Sequence, residues 1–149
     1  MAAPTRAQLA AARDFLARAG RRIDGAAKAA VRSDADQGEF DNNFDGVVTA
    51  IFHAVDAYEV ATTGIKRKVG EAEQPTRIES ILAALRASRT PKVPPGSRLI
   101  ELNRRRNTSV HGEWEEVLDQ EALEDAIRAA RELLTAIRYS LKAKGIDVS

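Results

Sequence analysis

Residues 119–145, DQEALEDAIRAARELLTAIRYSLKAKG, place Leu123, Ile127, Ala130, Leu134, Ile137 and Leu141 at alternating steps of four and three. That is the period of one helix face, with charged and polar side chains on the opposite face. Asp119, Glu121, Glu124 and Asp125 stand at the start, and Arg138, Lys142 and Lys144 at the end, just before Gly145. Acids at the amino end and bases at the carboxyl end complement the helix dipole, and glycine readily closes a helix. The segment therefore predicts a long amphipathic helix that must bury its apolar face against other helices.

Upstream the same period recurs. A first helix from about Thr5 to Val31 aligns Leu9, Ala12, Leu16, Ala19, Ile23, Ala27 and Ala30, weakened where Gly20 and Gly25 interrupt it. The turn-like run Ser33-Asp34-Ala35-Asp36-Gln37-Gly38 precedes a second stripe, Phe40, Phe44, Val47, Val48, Ile51, Val55 and Tyr58, which ends near Thr62-Thr63-Gly64. After a basic link, Lys66-Arg67-Lys68, Thr76 and Glu79 have the spacing of a capping box and open a third helix that reaches about Ser88. Pro91, Pro94 and Pro95 make the following stretch a rigid connector, capped by Ser97. A fourth helix carries Leu99, Ile100, Leu102 and Val110, stops near His111-Gly112, and is followed by a link over residues 113–118. With alanine occurring 27 times and β-branched runs nearly absent, helix is favoured throughout. The expected fold is all-α: an antiparallel up-and-down bundle spanning residues 1–149 as one domain, helices 1, 2, 4 and 5 forming the core and helix 3 a short extra element.

Composition bounds function. A chain of 149 residues with 44% hydrophobic and 30% charged residues is an ordinary one-domain composition, and its net charge of +1 excludes nucleic-acid coating by bulk charge. The absence of cysteine excludes disulfides, thiolate metal sites and a thiol nucleophile. No stretch approaches 18 uninterrupted apolar residues and the first residues lack a signal-peptide pattern, so the expectation is a cytoplasmic protein without membrane contact. With two histidines and no glycine-rich phosphate loop, His-Glu-x-x-His or calcium-loop motif, neither a cofactor nor a metal site is expected.

Helix 4 breaks its own pattern. With Leu99 set at zero on a helical wheel, Leu102, Val110 and Ile100 define an apolar arc, and Arg106 at about 340°, Asn103 at about 40° and Asn107 at about 80° fall inside it. An unpaired charge on a buried stripe is too costly to keep without a partner or a wet cleft, so Arg106 is singled out. His111 borders the same arc at about 120°, gathering Arg106, Asn107 and His111 where the helix ends.

The stretch Arg106-Asn107-Thr108-Ser109-Val110-His111 resembles the Arg, four to six residues, His motif of HEPN-domain proteins. The likeness extends to Asn directly after the Arg, Gly directly after the His, the Ala57-Tyr58-Glu59 stretch of helix 2 and the long terminal helix, about residues 40–141 in all. It implies a dimeric helical bundle and a metal-independent endoribonuclease serving as a toxin, a phage-defence effector or an RNA-processing enzyme. It further implies Arg106, His111 and Asn107 as the catalytic set, and as a partner a cognate antitoxin or nucleotidyltransferase. One toxin subgroup carries a tyrosine two residues after the His, where a nucleotidyltransferase modifies it; here that position is Glu113, which departs from that form of control.

Elementary chemistry agrees with the ribonuclease reading. Attack by a ribose 2′-hydroxyl needs a proton acceptor, a proton donor and positive charge on the phosphorane, which histidine and arginine supply. One chain has one suitable histidine, so a two-fold homodimer apposing the ends of helix 4 would supply both proton carriers. Between Gly64 and Arg106 there are 11 Lys/Arg against 4 acids, whereas Glu113 to Asp125 holds 7 acids and no base. RNA is expected on the former, with Arg104 and Arg105 as phosphate contacts.

Plainer roles stand beside these. His111 also fits a helix cap, Arg106 an ion pair with an acid of another helix, and Trp114 a plug at the bundle end. Arg105 also fits a solvated face, and His53, among Gly46, Ala50 and Ala57, a surface or close helix contact. The competing functions are a non-catalytic HEPN-like module that binds RNA, nucleotide or protein, and a helical subunit of a larger assembly.

Overall fold

The first helix, α1 (Arg6–Ala30), begins where Thr5 turns extended: the Gln8 amide donates to the Thr5 hydroxyl at 3.1 Å, and the Thr5 amide donates to Gln8 Oε1 at 2.8 Å. This capping box satisfies donors that a helix start otherwise leaves unpaired. Thr5→Ala should therefore lower the unfolding free energy by about 1 kcal/mol, read as a shift in the urea midpoint at unchanged slope. Asp36 caps α2 (Gln37–Thr63) by accepting from the Glu39 amide at 2.9 Å, and Gly64 closes it at φ +80°, where a side chain would be strained. A short 3₁₀ turn (Glu71–Glu73) leads into α3 (Gln74–Ala87), followed by α4 (Gly96–Val110) and α5 (Gln120–Ala143), the last capped by Asp119 accepting from the Ala122 amide at 2.8 Å.

The computed structural model describes residues 3–31, 36–66, 70–110 and 119–149, and among these there is no strand. The chain is an all-α bundle. Two local expectations change. Thr76 and Glu79 form no capping box, because α3 starts at Gln74 with Pro75 in its first turn, where a missing N–H costs nothing. Ser97 lies inside α4 rather than capping it, because the helix starts at Gly96. There the Glu79 carboxylate stands 1.9 Å from where a Cβ on Gly96 would be, so glycine leaves room for an acid at the helix's positive end. The runs at Ser33–Ala35 and Arg67–Lys68, the link at 113–118, and His111, Glu113 and Trp114 lie outside the described residues.

The pairing of α1 with α2 is antiparallel, since Phe15 meets His53 near one end and Arg22 meets Gly46 further along. The buried face of α1 alternates small and large, Ala12, Leu16, Ala19, Ile23, Ala26, and α2 buries Ala50, Ala54 and Ala57. Such small residues let helix axes approach closely. Helix α5 covers both, and α4 packs on α2. The short extra helix α3 packs on α4 and α5 and adds Ile78, Ile81, Leu82 and Leu85 to the same core.

One core contact is ionic. Arg77 of α3, with its side chain 5% exposed, donates from Nε to Glu59 Oε1 at 2.5 Å and from Nη2 to Asp56 Oδ1, both acids lying on α2. Asp56 and Glu59 are themselves 5% and 3% exposed, and Lys66 Nζ stands 3.6 Å from the other oxygen of Asp56. Burial works against the Arg77 cation, but its hydrogen bonds to both carboxylates outweigh it and raise its pKa above the ordinary arginine value. Desolvated charges are kept only when paired and hydrogen-bonded in this way.

Candidate active site

Helix α4 buries Leu99 and Leu102, which sets its rotation and turns Asn103 and Arg106 toward α2. Asn103 is 6% exposed, and its Oδ1 accepts from Arg106 Nη2 at 3.0 Å. Asn107 Oδ1 accepts from the same Nη2 at 3.4 Å. The Arg106 guanidinium lies over the Phe52 ring of α2, 5.5 Å from its centroid, and the side chain is 21% exposed. Two amides and an aromatic face thus hold a half-buried cation whose edge still reaches water.

Asp45 of α2 stands 3.8 Å from Arg106 Nε, near enough for charge attraction and too long for a hydrogen bond. The inward Arg106 and its amide neighbours were expected from the wheel, and the structure brings Arg106, Asn103 and Asn107 together. An acid of another helix is present as well. His111 lies outside the described residues.

The two expected RNA contacts sit differently. Arg104 is on the outer face of α4, where Nε and Nη2 donate to the two Glu101 oxygens at 2.9 and 2.6 Å. The hydrogen bond from Arg104 holds the Glu101 carboxyl below its ordinary range. Arg105 is half-buried, with its guanidinium 5.9 Å from the centroid of the Phe44 ring.

Sequence reasoning passed over Asp45 and Phe52. Their signal was available: the two are seven residues apart on α2, hence on one face, beside the small residues Gly46 and Ala50. It also passed over the Asp56, Glu59 and Arg77 triad, whose signal was two acids three residues apart within an apolar helix. His53 makes a close helix contact, stacking on Phe15 of α1 at 5.9 Å between centroids and 27° between planes.

Among the described residues no group of three His, Cys, Asp or Glu side chains could hold a metal ion, and no helix is long and apolar enough to cross a membrane. Set against family models, curated proteins and solved structures, the chain matches none of them.

Proposed function

We propose that the chain is a metal-independent endoribonuclease of the HEPN type, acting as a homodimer in toxin, phage-defence or RNA-processing systems. The observation that carries this reading is the half-buried Arg106 guanidinium, fixed by Asn103 and Asn107 on the motif helix and still reaching water. Both amides use Nη2, and a guanidinium carries five N–H donors, so part of its fork remains for phosphate oxygens.

In this mechanism a ribose 2′-oxygen attacks the adjacent phosphorus while the P–O5′ bond breaks, leaving a 2′,3′-cyclic phosphate and a 5′-hydroxyl. His111 takes the 2′ proton, and His111 of the partner subunit gives a proton to the leaving 5′ oxygen. Arg106 stabilises the charge that develops on the phosphorane, Asn107 orients that guanidinium, and Arg104 and Arg105 hold flanking phosphates.

RNA incubated with the protein in EDTA should be cut to cyclic-phosphate ends or their hydrolysed form, and a single 2′-deoxy nucleotide at the cut site should block cleavage there. Sedimentation at micromolar concentration should give the mass of a dimer. Loss of all cleavage in EDTA, or equal cleavage of the 2′-deoxy substrate, would sink the mechanism. A second reading, a non-catalytic module binding RNA, nucleotide or a protein such as an antitoxin or nucleotidyltransferase, draws on the 3.8 Å approach of Asp45 to Arg106, which suits a structural arginine. That reading expects binding without cleavage.

A further inference from the structure

Cations and aromatic rings on α4, α2 and α1 gather in two neighbouring clusters that start from Arg106 and share adjacent residues of α2. Arg106 lies over Phe52, the next residue His53 stacks on Phe15, and Phe15 has Arg18 and Lys66 at 6.0 and 5.3 Å from its centroid. Arg22, one turn beyond Arg18, extends along α2 to within 4.0 Å of where a Cβ on Gly46 would stand. Phe15, Phe52, His53, Thr49 and Gly46 are all partly exposed, and Arg18, Arg22 and Lys66 are exposed, so the clusters lie at the surface between α1 and α4.

Their acids are few and placed. Asp14 pairs with Arg18 at 2.8 Å, Asp45 stands near Arg106, and Asp56 is buried between Lys66 and Arg77. Among the described residues Arg22 has no ion pair. Cations at both ends of a run of partly exposed rings suit a ligand that carries both anionic charge and flat groups. A single nucleic-acid strand has that pattern, because its backbone phosphates alternate with unpaired bases that stack on aromatic side chains. A duplex hides its base faces, and an acidic peptide has none.

We propose that this strip is a binding track for single-stranded RNA, with phosphates on Arg18, Arg22 and Lys66 and a base laid against the Phe15–His53 stack, leading the strand to Arg106. The choice of RNA rests on the ribonuclease reading, whereas the track itself does not require cleavage. Binding should also carry a pH signature. In the unbound protein, burial and the nearby Arg22 lower the His53 pKa, with Arg18 and Lys66 adding to this and Asp56 opposing it. A phosphate brought beside it favours the imidazolium, so binding takes up a proton and affinity rises as pH falls through the range in which the bound imidazole protonates.

The test uses a short fluorescent oligoribonucleotide carrying 2′-O-methyl groups, which cannot be cut by its own 2′-oxygen, and reads binding by anisotropy across a salt series. Wild type should bind. Arg18→Gln with Arg22→Gln should weaken binding at least about tenfold and flatten the salt slope by about 0.7 unit per lost phosphate contact. His53→Gln should lose the gain in affinity at low pH and about tenfold of affinity at neutral pH, within the range for one stacked base. Arg18 and Arg22 are exposed, so circular dichroism of that double variant should match wild type. No binding by wild type, an unchanged affinity and slope in the double variant, or equal binding of duplex RNA overturns the track. Binding that depends on these residues in a protein that cuts no RNA upholds the track and rejects the ribonuclease reading, and cleavage with an unchanged double variant does the reverse.

Discussion

Arg77→Met should lower the unfolding free energy by about 3–5 kcal/mol, the range for removing one partner of a buried ion pair. The methionine fills part of the arginine stem's volume, so the loss is chiefly the cost of keeping Asp56 and Glu59 in the core without the Arg77 guanidinium. Lys66 cannot take over, because its ammonium is exposed and reaches only one oxygen of Asp56. Urea titration measures the effect. Adding Asp56→Asn and Glu59→Gln to Arg77→Met should restore a large part of the loss, since neutral amides are far cheaper to bury than carboxylates. A loss below about 1 kcal/mol for Arg77→Met, the scale of an exposed pair, would show that the triad is hydrated in solution.

His111→Ala should reduce the rate of RNA cleavage by about 10²–10⁴-fold, the usual contribution of one acid–base group. Arg106→Ala should cost about 10²–10³-fold, the scale of removing a preorganised donor from a developing oxyanion. Both effects belong in the rate at saturating RNA rather than in affinity, because the groups act most strongly on the transition state. Arg106→Lys should recover little, since an ammonium keeps the charge but not the planar fork that Asn103 and Asn107 hold. Asn107→Ala should be milder than either, because an amide positions neighbours and transfers no proton. Helicity should survive each change. Full activity in His111→Ala rejects the proposed proton transfer outright.

What could be read in the sequence depended on how far apart the deciding groups lie along the chain. The face of α5 was legible because its period and end charges are local, and Asp119 and Gly145 bound the helix as the chain order suggested. The inward rotation of Arg106 was legible too, because Leu99 and Leu102, a turn or two away, fix the face of their own helix. Arg105 was harder. Its Cβ direction follows from the wheel, but its long apolar stem lets the guanidinium travel back to Phe44, which belongs to another helix. Arg77 could not be understood locally, because its carboxylates are 18 and 21 residues away on α2. The Thr76 capping pattern misled for a different reason: proline one residue earlier is also a first-turn residue, and the helix took that start.

The alanine-rich packing of α1 has a consequence for how the chain reaches this fold. Alanine gives up no rotamer freedom when buried, so closing α1 against α2 sacrifices less side-chain entropy than a seam of leucine would. The two helices are also consecutive, which keeps the loop between them short and its closure inexpensive. Contacts close in sequence form early, whereas those that dock α5 on α1 must wait for a much longer loop to close. The α1–α2 hairpin is thus the natural nucleus, with folding on the microsecond-to-millisecond scale of helical proteins rich in local contacts.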